Sequence, residues 1–143
     1  MKRCSRYLVL PAWIRFFSWV FLIIGAFAGM LSMSGAIVNF EGKFMLFGIR
    51  HAGPLRDWLP VTMGVAFLLL GYAGFALLWG RREGREVGLT AGYVGLGICA
   101  VAVLLALQDG RLYIPIEPLF QVPFIVTLHR LKARWEEEPN QSL

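Results

Sequence analysis

Between Arg15 and Glu41, between Asp57 and Arg81, and between Glu86 and Asp109 the chain carries no Asp, Glu, Lys or Arg. Each gap is roughly 22–25 residues, and a helix needs about 20 apolar residues to cross the hydrocarbon core of a bilayer. A soluble helix rarely runs that far without a polar face. The gaps predict transmembrane helices over about 16–38, 59–79 and 87–107. Composition agrees: the 143 residues are 57% hydrophobic and only 16% charged, where a soluble domain is about a quarter charged.

The basic residues lie between these blocks. The net charge of +5 therefore reads as membrane topology and not as a nucleic-acid surface, because no large basic face interleaved with aromatics exists. Lys2, Arg3 and Arg6 followed by an apolar run and Ala26-Phe27-Ala28 imitate a signal peptide. A signal core is only about 7–15 residues long, whereas this run continues to Val38. We expect an uncleaved first span.

The segment from Leu112 to Leu128, LYIPIEPLFQVPFIVTL, decides the crossing number. It is apolar but holds Pro115, Pro118, Pro123, Glu117 and Gln121. If it crosses, ten cations (Lys2, Arg3, Arg6, Arg15, Arg81, Arg82, Arg85, Arg130, Lys132, Arg134) share one face, and four (Lys43, Arg50, Arg56, Arg111) the other. Without this crossing the split is seven and seven. The positive-inside bias favours the crossing, giving a fourth span over about 112–131. Leu112 to Ile116 is expected as an extended lead-in, with Glu117 at the N-cap, Pro118 in the first turn and Pro123 kinking a short helix that ends near Trp135. Trp13, Trp58, Trp79 and Trp135 lie at predicted span ends, where amphipathic rings favour the headgroup level.

The expected fold is thus an all-α polytopic membrane protein. It is a four-helix transmembrane bundle over 1–138 as a single domain, with a disordered tail at 139–143. Asn39 to Asp57 forms an extracytoplasmic loop, either turning as a hairpin at Glu41-Gly42 or lying flat at the interface. Small residues mark helix contacts in lipid: Gly25 and Gly29 in the first span, Gly71 and Gly74 in the second, and Gly88, Gly92 and Gly95 in the third. These are expected to pack within the chain, with self-association as the other use.

Chemistry is sparse. GLGICA, Gly95 to Ala100, matches a dinucleotide fingerprint, but that motif works only between a strand and a helix; here it lies within a span. Cys4 and Cys99 sit at different depths and form no framework. His51 and His129 are expected on opposite faces. No nucleophile motif, cofactor motif or metal-ligand set is found, so neither cofactor nor metal is expected. The candidate polar site is Glu117, Gln121, His51, Arg50, Arg56 and Asp57. An ionisable group at membrane depth is a functional hypothesis by default; the plainer reading has Glu117 capping a helix at headgroup level, paired with Arg56 or Arg111.

In general layout the chain resembles the small four-helix proteins of bacterial cytoplasmic membranes. The expected function is a non-enzymatic accessory or assembly subunit of the cytoplasmic (inner) membrane, with both termini cytoplasmic. Its partners are the lipid bilayer and a larger membrane protein or a second copy, with no nucleic acid. The alternative is transport of a proton, ion or small solute through Glu117 and Gln121. A membrane enzyme using His51, Asp57 and Glu117 is the least favoured class.

Overall fold

The computed structural model describes residues 5–38, 40–46, 49–108, 110 and 114–137. The element order is α1 (Ser5–Val9), α2 (Ala12–Ile37), β1 (Glu41–Leu46), β2 (Ile49–Pro54), α3 (Trp58–Leu78), α4 (Gly84–Gln108), α5 (Glu117–Arg130) and α6 (Lys132–Glu137). The chain is mostly helical, and α2, α3 and α4 are long and apolar enough to cross a membrane.

Helix boundaries overrun the charge-free blocks, because a charge ends an apolar run without ending a helix. Pro11 precedes α2 and its carbonyl accepts from Arg15 N–H at 3.1 Å, so Arg15 lies inside the first turns. Arg85 and Glu86 likewise belong to α4. Polar side chains within the helices bond to their own backbone: Ser18 Oγ donates to Ile14 O at 2.8 Å and Thr90 Oγ1 to Glu86 O at 2.9 Å, the usual way to hide a hydroxyl in a helix.

Helix α3 ends in a Schellman motif. Gly80 adopts φ 60°, Gly80 N–H bonds Leu77 O at 3.1 Å, and Arg81 N–H bonds Ala76 O at 2.9 Å. The short turn to α4 is reinforced at Glu83, whose Oε1 accepts from Tyr72 Oη at 3.3 Å and lies 3.6 Å from Arg81 Nη1.

Between α2 and α3 the chain is not helical. Strands β1 and β2 pair antiparallel, with Glu41 opposite Pro54 and Leu46 opposite Ile49. The all-α expectation is corrected to this extent. The hairpin does not turn at Glu41-Gly42; both residues lie on β1, and the reversal falls between Leu46 and Ile49.

Helices α2 and α3 run antiparallel at backbone contact. A Cβ added at Gly25 would strike the Gly71 backbone, and one at Gly74 the backbone of Ser18 and Leu22. With lipid outside and no water to expel, this close approach is what gives the pair its van der Waals energy. Helix α5 packs antiparallel on α4, with Leu128 against Gly88, Ile125 against Gly92 and Gln121 against Gly95. Phe120 and Phe124 of α5 meet Phe17 and Phe21 of α2 at ring distances of 5.7 and 5.3 Å.

One buried cluster sits at the end of the molecule opposite the hairpin. It joins Leu10 and Ile14, Leu77, Leu89, Phe124, Ile125, Leu128, Leu131 and Trp135. Trp135 is only 3% exposed, and its Nε1 donates to Arg82 O at 3.1 Å. It is therefore a core residue and not the exposed interfacial ring that its place in the sequence suggests. Trp58 and Trp79 are exposed at the two ends of α3. The segments called 112–113 and 139–143 above lie outside the described residues.

Candidate functional site

Helix α5 is 14 residues long, about 21 Å at 1.5 Å per residue, well short of the ~30 Å hydrocarbon core. Its register on α4 fixes where it begins. Residues 128, 125 and 121 face residues 88, 92 and 95, so one further turn carries Glu117 to the level of Cys99. Cys99 is buried, 2% exposed, and lies within electrostatic reach of the Glu117 carboxylate. Cys99 is three residues from the middle of the 25-residue α4, a displacement of about 4–5 Å. Glu117 thus stands near the mid-depth of the spanning helices and not at headgroup level.

The local sequence explains the placement. Ile114 and Pro115 precede the helix as non-helical chain. Ile116 is the N-cap, already in the αR region, which corrects the expected Glu117 cap and the extended conformation of Ile116. Glu117 and Pro118 form the first turn, where proline's missing N–H is harmless and a carboxylate faces the positive end of the helix dipole. Pro123 lies inside α5, which continues past it to Arg130.

Gln121, one turn on, shares the face of Glu117. Its amide enters the space that Gly95 leaves: a Cβ at that position would lie 2.5 Å from Gln121 Nε2. The glycine of the apparent dinucleotide motif is therefore a packing notch. Gln121 closes a crevice of about 40 Å³ between α3 and α4, whose walls are apolar, among them Met63, Phe67, Leu70 and Ile98. Glu117 Oε2 and Gln121 Oε1 are both buried and both without a hydrogen-bond partner. Among the described residues no ion pair joins Glu117 to Arg56, and Arg111 lies outside them.

The remaining predicted site residues are on the connection between α2 and α3. Arg50 and His51 are on β2, opposite Met45 and Phe44; Arg56 is exposed, and Asp57 is the N-cap of α3. Strand β2 lies against α4. The structure thus joins Glu117 and Gln121 and adds Cys99, which the sequence reading treated as a packing residue. The signal was available: Gly88, Gly92, Gly95 and Cys99 follow helical spacing along the face that receives α5.

Each glycine singled out from the sequence meets another helix of the same chain. Gly25 and Gly29 meet α3, Gly71 and Gly74 meet α2, and Gly88, Gly92 and Gly95 meet α5. Two polar contacts had no sequence signature. Arg85, 8% exposed, donates from Nε to Leu128 O at 3.0 Å, placing a cation near the negative end of α5. Tyr93 Oη lies 2.8 Å from His129 Nε2 on the exposed flank of α4 and α5. Among the described residues no group of three or more His, Cys, Asp or Glu is arranged to hold a metal ion.

Comparison with protein families, with curated proteins and with solved structures finds no match to this chain.

Proposed function

We propose that the protein is a non-enzymatic integral protein of the cytoplasmic (inner) membrane, serving as an accessory or assembly subunit. In this reading α2, α3 and α4 span, and the chain crosses a fourth time through the lead-in, α5 and α6. The support for that crossing is that Trp135 lies in one cluster with Leu10 and bonds Arg82 of the α3–α4 turn. Both ends of the chain then face the cytoplasm with the larger share of the cations, and the hairpin faces out.

The observation that carries the accessory role is the disposition of α2. Only 11% of its apolar window is buried against the rest of the chain, against 50% for α3. Trp19, Ile23, Phe27 and Met30 lie exposed along it. A span held along a single seam leaves a long face for a larger membrane protein or a second copy. Photo-crosslinking residues placed at Ile23 and Phe27 in native membranes test this. A discrete protein adduct, missing when the probe stands at the inward-facing Leu77, is expected; crosslinks to lipid alone at both positions would remove the role.

A second reading, transport of a proton, ion or small solute, is favoured by one observation: the mid-depth position of Glu117. An ionisable group there is costly to keep without a use. In proteoliposomes the Glu117→Gln variant should fold normally and abolish flux; an inert wild-type protein ends this reading.

A further inference from the structure

Two buried oxygens, Glu117 Oε2 and Gln121 Oε1, face the interior without a donor. Buried polar atoms in native structures almost always have partners, and each exception calls for an explanation. Both atoms are acceptors when the carboxyl is ionised, so what the site lacks is a hydrogen-bond donor. The surroundings supply none. The walls of the adjoining crevice are apolar side chains of α3 and α4. From α2, the residues that reach α5 are Phe17 and Phe21. The titratable group of α4 that faces Glu117 is the Cys99 thiol. On α5 itself, the next charged or titratable residues after Glu117 are His129 and Arg130, three turns away in its last turn.

The size of the space narrows the ligand. About 40 Å³ holds no more than a few water molecules, since one needs about 10–15 Å³ counted in this way. An organic solute does not fit. A hydrated metal ion does not fit either, and a bare one would find one carboxylate and one amide oxygen where a hard cation takes about six ligands. A single proton does fit. It neutralises the one charge at this depth, where an unpaired ion is most expensive. It also converts one orphaned acceptor into a donor for the other.

We propose that Glu117 and Gln121 form an interior proton-binding site. Glu117 Oε2 accepts a proton delivered by water through the non-helical lead-in at Ile114 to Ile116. The resulting carboxylic acid donates its O–H to Gln121 Oε1, directly or through one water in the crevice. Only the O–H bond forms, and the proton leaves by the same route. Gly95 is part of the device, because only a residue without a side chain admits the Gln121 amide at that level. This deepens the second reading above but does not depend on net flux: a site that binds a proton without releasing it to the other side satisfies it.

The test is infrared difference spectroscopy of the full chain in nanodiscs, titrated with acid and base in sodium, potassium and choline salts. The difference between wild type and Glu117→Gln isolates the carboxylic-acid band of residue 117. That band is expected to lie below the position of a free acid, to shift upward in Gln121→Leu, and to be the same in all three salts. A Glu117 band unmoved by Gln121→Leu would identify an ordinary solvated carboxyl and overturn the proposal. Loss of the band in sodium alone would make the site a cation site and also overturn it. A carboxylate band throughout the titration would mean that the Gln121 amide N–H serves an ionised Glu117, and the proposal fails again. Wild-type protein labelled with ¹³C at the glutamate carboxyl gives the same reading by solid-state NMR without any substitution, should the variants not fold. Flux assays are read separately, so an inert protein with a shifted Glu117 band retires transport and keeps the site.

Discussion

Gly71 and Gly97 are both glycines of spanning helices, yet their surroundings are opposite. A Cβ at Gly71 would lie 2.9 Å from the backbone nitrogen of Ala26, while one at Gly97 meets nothing within 4 Å. Backbone cannot rotate away as a side chain can. Gly71→Leu should therefore lower stability toward the upper end of the ~1–3 kcal/mol seen for overpacking, and Gly97→Leu should stay within about 0.5 kcal/mol; unfolding in bicelles compares them. Glu83 behaves differently because it lies outside the spans. A hydrogen bond from its own backbone N–H holds its carboxyl below the ordinary 4.5, helped by Tyr72 and Arg81 and opposed by partial desolvation. A lowered folded value means that the ionised form stabilises the turn above the ordinary carboxylate range, and that this contribution fades as pH falls through the lowered value. Glu83→Gln should melt below wild type at pH ~7 and coincide with it below pH ~3, as thermal scans in detergent would register.

Elements differ in how far the sequence revealed them. The three spanning helices were legible because charge exclusion over a membrane thickness is a strong, one-dimensional signal. The glycine seams were legible for a related reason: in lipid, small residues serve mainly for contact. The start of α5 was not. Its depth depends on which α4 residue Gln121 meets, and a register between two helices leaves no mark in either sequence alone. The role of Trp135 was hidden in the same way, since a tryptophan beside a charged tail reads as an anchor until a receiving cluster is seen. Its burial makes α6 structural. Trp135→Ala should cost about 3–5 kcal/mol, whereas Trp135→Phe should lose mainly the bond to Arg82 O, about 1 kcal/mol. Equal losses would show that the hydrogen bond, and not the ring, holds α6; denaturant titration of both variants decides this.

The molecule as a whole is asymmetric from end to end. One end is closed by side chains from α1, α2, α3, α4, α5 and α6 together, and the other carries a hairpin and the beginning of a half-length helix. If α5 and α6 complete a fourth crossing, cysteines at Arg82 and Glu136 in a background lacking Cys4 and Cys99 should react with an impermeant maleimide from one side. A cysteine at Arg56 should react only from the other; Glu136 and Arg56 reacting together would leave three crossings. The closed end also imposes an order on biogenesis. Helices α2 and α3 can pair through Gly25 and Gly71 as soon as both have left the ribosome, but the layer beneath them stays open until Trp135 emerges. Release of the nascent chain, and not insertion of the last greasy segment, is then the event that completes the native state.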